Sequence, residues 1–371
     1  MTLSFVPFEK EDPRAWSAFV DSCDEAWLPH RPEFLAASPE DCSFSLRRNG
    51  ELIGVCALAR QRQGRAAAVL YGAGLALAST VAFHDIVDDF RAELHALVAR
   101  QGALAVQFNQ PPLSPALAGR RYADSILMEL GFSCGLRWGF NLDYVTGFHT
   151  VIELSHEMGA ILKGFTKGNR ACVARCRRLA ATAEFSDAAR FSDGHWDAFV
   201  NIHRATYART GAAAFSEEHL ARLKRHAQAG FIALAALRLD GELVAAILLE
   251  TYKGGANYLA GGCRDDAQKL GAMVYLHFLA MERMKLAGYR YYCMGPSFPA
   301  LRGTKMGAIG DFKRRFGGAK WDILAGELVT DRRLYWRRIL LPRAVKFIGA
   351  RGFLPSGLAR MWNRLRNRGA A

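Results

Sequence analysis

Two stretches of this chain repeat one another. "FSLRRNGELIGVCALARQ" (Phe44 to Gln61) and "LAALRLDGELVAAILLET" (Leu234 to Thr251) each set an Asn-Gly or Asp-Gly pair between two apolar runs. That dipeptide between strand-like runs predicts a tight hairpin, because both turn residues must take positive φ. In both copies a further strand follows, "AAAVLYGAGLA" and "GANYLAGGC". Next comes a helix-period segment that stops at glycine, His84 to Gly102 and Gly271 to Gly288. Both lead into another strand, "ALAVQF" and "YRYYCM". The copies lie about 190 residues apart, too far for a solenoid. The echo predicts an α/β fold of two similar units in tandem, residues 1–150 and 151–330, with a tail over 331–371. The length of 371 residues, with 51% hydrophobic and 23% charged, suits a soluble chain with a large core.

The formal net charge of +14 favours an anionic partner. Much of it is concentrated: from Arg332 onward the chain has no Asp or Glu, and eleven Lys and Arg. That is the pattern of an interaction arm. The eight cysteines include no C-x-x-C pair and no accompanying His cluster, so they read as reduced cytosolic thiols, with no metal site expected. The N-terminus lacks a signal-peptide apolar core, and no apolar run of about 18 residues is present, so no spanning helix is expected. Between the copies, Met158 to Thr182 has a helical apolar stripe with a break expected near Gly168. Its polar face carries Lys163, Lys167, Arg170, Arg175, Arg177 and Arg178, and a second helix follows over "GHWDAFVNIHRATYARTG".

The order strand–hairpin–strand–helix–strand resembles the core of the GNAT acyltransferase superfamily. Two such units in tandem resemble the Fem family, which builds peptidoglycan cross-bridges from aminoacyl-tRNA, and its FemAB-like relatives. Three local matches carry the resemblance: the basic helix "KGNRACVARCRRLA", the strand end "YYCMG", and "GAIGDFKRRFGG", which is similar to the family's G-x-x-x-x-F-K-x-x-F-G segment. It implies mixed central sheets in both units. Cys293 stands where the family often has Asp, and Pro296 where a second glycine often follows. "QKLGAM" (Gln268 to Met273) partly matches the GNAT coenzyme A loop, where backbone amides cradle pyrophosphate, and places Gln268 and Gly271 as cofactor-binding candidates.

Acyl transfer to an amine needs a neutral amine, a polarised carbonyl and a stabilised oxyanion. Lys313 is the candidate for that positive charge, with Phe312 and Phe316 packed beneath it or stacked on a base; the resemblance places the Phe-Lys pair at the donor end. The surrounding glycines would let the backbone approach a ligand closely. Asp311, Tyr258 at a strand end and His277 are the candidates for a proton acceptor, each with a competing structural role. Arg170, Arg175 and Arg178 could hold a diphosphate, since guanidinium forks suit phosphate; a solvated helical face is the equal alternative.

In the tail, "RRLYWRR" sets Arg333 and Arg337 on one helical face with Trp336 beside them. It reads first as a membrane-surface helix, second as a cyclic di-GMP contact, third as an RNA contact. Together these features predict a cytoplasmic enzyme, peripheral at the inner face of the cytoplasmic membrane. It would be an N-acyltransferase using acyl-CoA (acetyl-CoA) on an amine of a sugar-containing envelope or exopolysaccharide precursor, an anionic sugar-nucleotide or lipid-linked glycan. Transfer from aminoacyl-tRNA is the first alternative, and a non-catalytic sensor of an anionic nucleotide the second.

Overall fold

In the computed structural model the sequence echo becomes two seven-stranded sheets. The structure describes residues 3–36, 40–62, 67–113, 130, 133–134, 147–187, 190–211, 213–298, 303–323 and 325–341. The first part of the chain forms β1 (Leu3–Pro7), α1 (Pro13–Ser22), α2 (Pro32–Leu35), β2 (Phe44–Arg48), β3 (Glu51–Arg62), β4 (Ala68–Leu77), α3 (Val87–Arg100), β5 (Ala105–Asn109) and β6 (Ser133–Cys134). The second forms β7 (Phe148–Glu153), α4 (Met158–Gly164), α5 (Lys167–Arg178), β8 (Thr182–Ser186), α6 (Asp193–Thr210), α7 (Glu217–Gln228), β9 (Ile232–Leu239), β10 (Glu242–Tyr252) and β11 (Gly255–Cys263). It continues with α8 (Asp265–Leu270), α9 (Ala272–Leu286), β12 (Tyr291–Ser297), α10 (Lys305–Arg314), β13 (Ala319–Asp322), β14 (Ala325–Val329) and α11 (Arg332–Tyr335), which a π turn extends over Trp336–Leu340.

Both hairpins form as expected. Asn49 and Gly50 take φ of 53° and 88°, and Asp240 and Gly241 take 51° and 79°. Those left-handed pairs match the twist of the strands they join. The break in the basic helical segment falls at Phe165–Thr166 rather than Gly168, because Thr166 accepts from the Asn169 amide and starts a new helix.

The sheets run β1-β2-β3-β4-β5-β14-β6 and β8-β9-β10-β11-β12-β7-β13. Position by position the two orders correspond, with one exchange. The sixth place of the second sheet is filled by β7, which precedes that unit's other strands. The sixth place of the first is filled by β14, from near the chain's end. Sheet membership therefore departs from chain order: residue 150 lies inside β7, and Ala325–Val329 belong to the first sheet.

Each unit has its own apolar core. Phe44, Leu70, Phe90 and Phe108 fill one; Phe165, Leu249, Phe278 and Phe316 fill the other. Fully burying side chains of this size contributes about 1.5–3 kcal/mol each. A smaller cluster joins the units, with Trp27, Leu28 and Leu113 against Val151 and Cys293. The turn after β10 pushes into the first unit: Lys253 Nζ donates to the carbonyls of Val20, Cys23 and Ala26 around the end of α1.

The expected tail begins as docked structure. Tyr335 and Ile339 are buried with Val69, Leu104 and Ala105 of the first unit. Tyr335 Oη donates to Glu327 of β14 at 2.5 Å, and Gln107 of β5 donates to the same carboxyl oxygen at 2.5 Å. Residues 342–371, which hold the remaining tail arginines, lie outside the described residues.

Candidate active site

The second sheet opens between β11 and β12. The two strands pair in parallel only over Gly255–Asn257 with Tyr291–Cys293 and then part, β11 staying paired with β10 and β12 with β7. A register shift between Cys293 and Pro296 against β7 and a left-handed Gly295 (φ 84°) bend β12 at the opening. Backbone groups that would join a sheet ladder are left for other partners.

Lys313 enters this opening from α10. The segment "GAIGDFKRRFGG" is thus a helix, not a glycine loop around a ligand. Gly307, Gly310 and Lys313, spaced by three, make the buried face of α10. Gly310 sits against Ser297, whose Oγ donates to the Gly310 carbonyl at 3.4 Å. Gly317 and Gly318, both at positive φ, press on the backbone of Gly164 and Val151. These glycines serve close packing of protein on protein.

Lys313 is 8% exposed, and its Nζ donates to the Pro296 carbonyl at 3.2 Å. Among the described residues it forms no ion pair with a carboxylate. Burial pulls its pKa down to about 8, with the Cys293 thiol acting the other way. The charge lies 6.0 Å from the centre of the Tyr258 ring. Tyr258 is the fourth residue of β11 rather than a strand end, and burial raises its phenol pKa.

His277 lies on one side of the opening. It is fully buried, its Nδ1 is 2.8 Å from Tyr292 Oη, and Nε2 has no partner among the described residues. Tyr258, Phe312 and Phe316 surround its ring at centroid distances of 4.6, 5.9 and 5.3 Å. Burial, and then the charge of Lys313, push His277 down to about 3, so it is neutral at physiological pH. Phe312 and Phe316 therefore pack on this histidine, and Phe316 also on Phe165.

On the other side, the register brings Glu250, Asn257, Cys293 and Val151 into one cross-strand row. Cys293 is fully buried, lies 3.7 Å from His149 Nδ1, and accepts from the Gly295 amide at 3.2 Å. Burial raises its thiol to about 12, which makes it a poor nucleophile. His149 is pushed down to about 4 by burial and by Lys313. Asn257 donates to Glu250 at 2.8 Å, and burial raises the Glu250 carboxyl.

The structure gathers Lys313, Tyr258, Phe312, Phe316 and His277. Asp311 points elsewhere and pairs with Arg314. Arg170 donates to the Lys163 and Phe165 carbonyls and so ties α4 to α5. Arg175 donates to the Lys269 carbonyl at 3.0 Å at the end of α8, while Arg178 is exposed. Gly271 is the left-handed joint between α8 and α9 (φ 88°), where a Cβ would collide with Cys172. Its amide donates to the Gln268 carbonyl at 3.0 Å. The side chains of Gln268, Lys269 and Arg175 around this joint are exposed. Arg333, Arg337 and Trp336 lie exposed on α11 and its extension, against the first unit.

Sequence reasoning missed Glu250, Asn257 and His149, and read Cys293 only as a departure. One signal was legible: Glu250 is the single charge within "LVAAILLETY". Its neighbours across the sheet are set by register, which no local pattern shows.

A family model described as an acetyltransferase (GNAT) domain matches residues 167–314, the stretch that holds α5, the opened sheet and Lys313. FemX is similar in fold, with a TM-score of 0.69 at 14% identity over 91% of this chain and 99% of that one. L-PGS from Bacillus licheniformis has a TM-score of 0.56 at 17% identity, covering 90% and 96%. A tandem GNAT protein from the clavulanic acid biosynthesis pathway, without AcCoA, has 0.52 at 12% identity, covering 89% and 99%. No curated protein sequence matches the chain. Residues 167–314, within the second unit, thus match an acetyltransferase (GNAT) domain, and the chain as a whole shares its tandem fold with FemX and the tandem GNAT protein.

Proposed function

We propose that this enzyme transfers an acyl group to an amine on a sugar-containing cell-envelope or exopolysaccharide precursor, with Lys313 as the electrostatic stabiliser of the developing oxyanion. One observation carries the reading. A lysine is buried in the opening of the sheet without a carboxylate beside it. Burying an uncompensated cation is costly, and that cost is offset where negative charge develops during reaction. The leading donor is an acyl-CoA such as acetyl-CoA. Activity would be followed as thiol release from acetyl-CoA in the presence of UDP-amino sugars. Release by the wild-type chain that Lys313→Ala abolishes supports the reading; equal rates in the two proteins reject it.

Aminoacyl-tRNA as donor is the second reading. The engaged amide of Gly271 favours it, as does the exposed basic face of Lys167, Arg177 and Arg178 on α5. Ribonuclease treatment separates the two, since only a tRNA-dependent transfer stops. Among the described residues no helix is long and apolar enough to cross a membrane, and no cluster of metal-ligating side chains occurs. For contact with a lipid-linked substrate at the inner face of the membrane, α11 offers exposed Trp336 and Leu341 beside Arg333 and Arg337. The same arginines are what a cyclic di-GMP contact would use.

A further inference from the structure

Glu250 and Asn257 have no part in the oxyanion chemistry, yet each is incompletely satisfied. Glu250 is half-buried near the end of β10 and accepts one hydrogen bond, from Asn257 Nδ2. Among the described residues no Lys, Arg or His forms an ion pair with it. Asn257 Oδ1 is buried and has no partner among the described residues. A carboxylate with one hydrogen bond and no cation thus stands beside an amide oxygen with no donor among the described residues. A group with several N–H donors and a positive charge answers both.

Their place in the sheet adds a second argument. Asn257 is the cross-strand neighbour of Cys293, and Cys293 adjoins the charge of Lys313. Adjacent strands are about 4.8 Å apart. A nitrogen held at Asn257 and Glu250 is therefore about one strand spacing from Cys293, the residue whose thiol feels the cation that would face a carbonyl oxygen. The row looks toward the first unit, where Trp27, Leu28 and Leu113 wall it with apolar surface.

We propose that Glu250 and Asn257 form the acceptor-ammonium pocket, with Glu250 taking the proton that frees the amine. This rests on the acyl-transfer reading for its chemistry, although ammonium recognition stands without it. The substrate ammonium passes one proton to the Glu250 carboxylate and becomes a neutral amine. Its lone pair attacks the activated acyl carbonyl, forming the C–N bond, while negative charge collects on oxygen beside Lys313. The oxyanion then collapses, and the C–S or C–O bond to the donor's leaving group breaks. That leaving group takes the second nitrogen proton, and Glu250 returns its own to solvent.

The test uses the full chain, Glu250→Gln and Asn257→Leu. Glutamine keeps the acceptor toward Asn257 Nδ2 while removing the charge. Melting is followed with glucosamine against glucose, and with ethanolamine against ethylene glycol, which separates a sugar amine from a headgroup amine. Stabilisation follows ligand concentration over dissociation constant, so millimolar binding is readable at tens of millimolar ligand. The wild-type chain is expected to favour the amine of at least one pair. Both variants are expected to lose about tenfold or more of that preference. An unliganded melting point close to wild type for Glu250→Gln shows that the change is not a folding defect. Equal shifts for amine and hydroxyl in the wild type, or a preference that survives Glu250→Gln, overturn the proposal. Thiol release from acetyl-CoA is measured alongside, where Glu250→Gln is expected to slow transfer by about 10²–10⁴-fold. Amine preference without thiol release would reject the acyl-CoA reading and leave the pocket standing. Thiol release untouched by Glu250→Gln would reject the pocket and leave acyl transfer standing.

Discussion

The Nζ of Lys313 lies 3.2 Å from the carbonyl oxygen of Pro296. One residue earlier, a Cβ on Gly295 would stand 2.8 Å from the same nitrogen. A helix on one side and an opened strand on the other thus hold a single cation in a slot. The slot exists because β11 and β12 separate after three paired residues.

Lys313→Met removes a charge that burial disfavours. With a folded pKa of about 8 against an ordinary 10.5, the unfolded chain binds more protons between those values. Stability from this group therefore rises as pH climbs from about 8 to 10.5, and the penalty is fully present below 8. It amounts to about 3 kcal/mol, reduced by about 1 for the lost hydrogen bond. The variant is expected to be at least as stable as wild type at pH 7, and to lose that advantage toward pH 10. Transfer should fall by about 10²–10³-fold. Denaturant melts of both proteins across this range check the sign.

Two glycine substitutions should behave oppositely. Gly295→Ala places a methyl against Lys313 Nζ at a backbone φ of 84°, so it should cost about 1–3 kcal/mol and impair transfer. Gly310→Ala meets only Arg314 Nη1 at 3.3 Å and Ser297 at 3.5 Å, within a helix. It should leave transfer intact and be neutral or stabilising by up to about 1 kcal/mol. Thermal melts and initial rates of the two distinguish them.

On α11 the docked residues and the exposed ones can be changed separately. Tyr335→Phe removes the donor to Glu327 and should destabilise the chain by about 1–2 kcal/mol. Truncation after Thr330 removes Tyr335 and Ile339 from their apolar contacts and should cost more. Changing Trp336, Arg333 and Arg337 to Glu should leave the melt nearly unchanged and abolish flotation with anionic vesicles. A full-length chain that never floats would end the membrane proposal.

Lys253→Met should loosen the join between the units. Its ammonium caps three carbonyls of the first unit, and charged hydrogen bonds of this kind contribute about 1.5–3 kcal/mol together with their geometry. The expected result is a lower melting point and a broader transition. An unchanged single transition would show that the apolar contacts around Trp27 hold the units without it.

The repeat, both hairpin turns and the major helices of each unit were legible in the sequence because each rests on local rules. Asn-Gly and Asp-Gly specify positive φ, and helical periodicity and terminal glycines follow from contacts within a few residues. The Phe-Lys segment stood out in the sequence as well, although its glycines turned out to pack a helix on a strand. Tertiary structure alone decided the exchange of β7 and β14, the docking of α11 and the alignment of Glu250, Asn257 and Cys293. Those depend on which strand lies beside which, over separations of tens to hundreds of residues. A side chain's local sequence is the same whether its neighbour across the sheet is Cys293 or another residue. Pairing and register, fixed only when the apolar faces are buried together, turn one glutamate in an apolar run into a candidate for binding an amine.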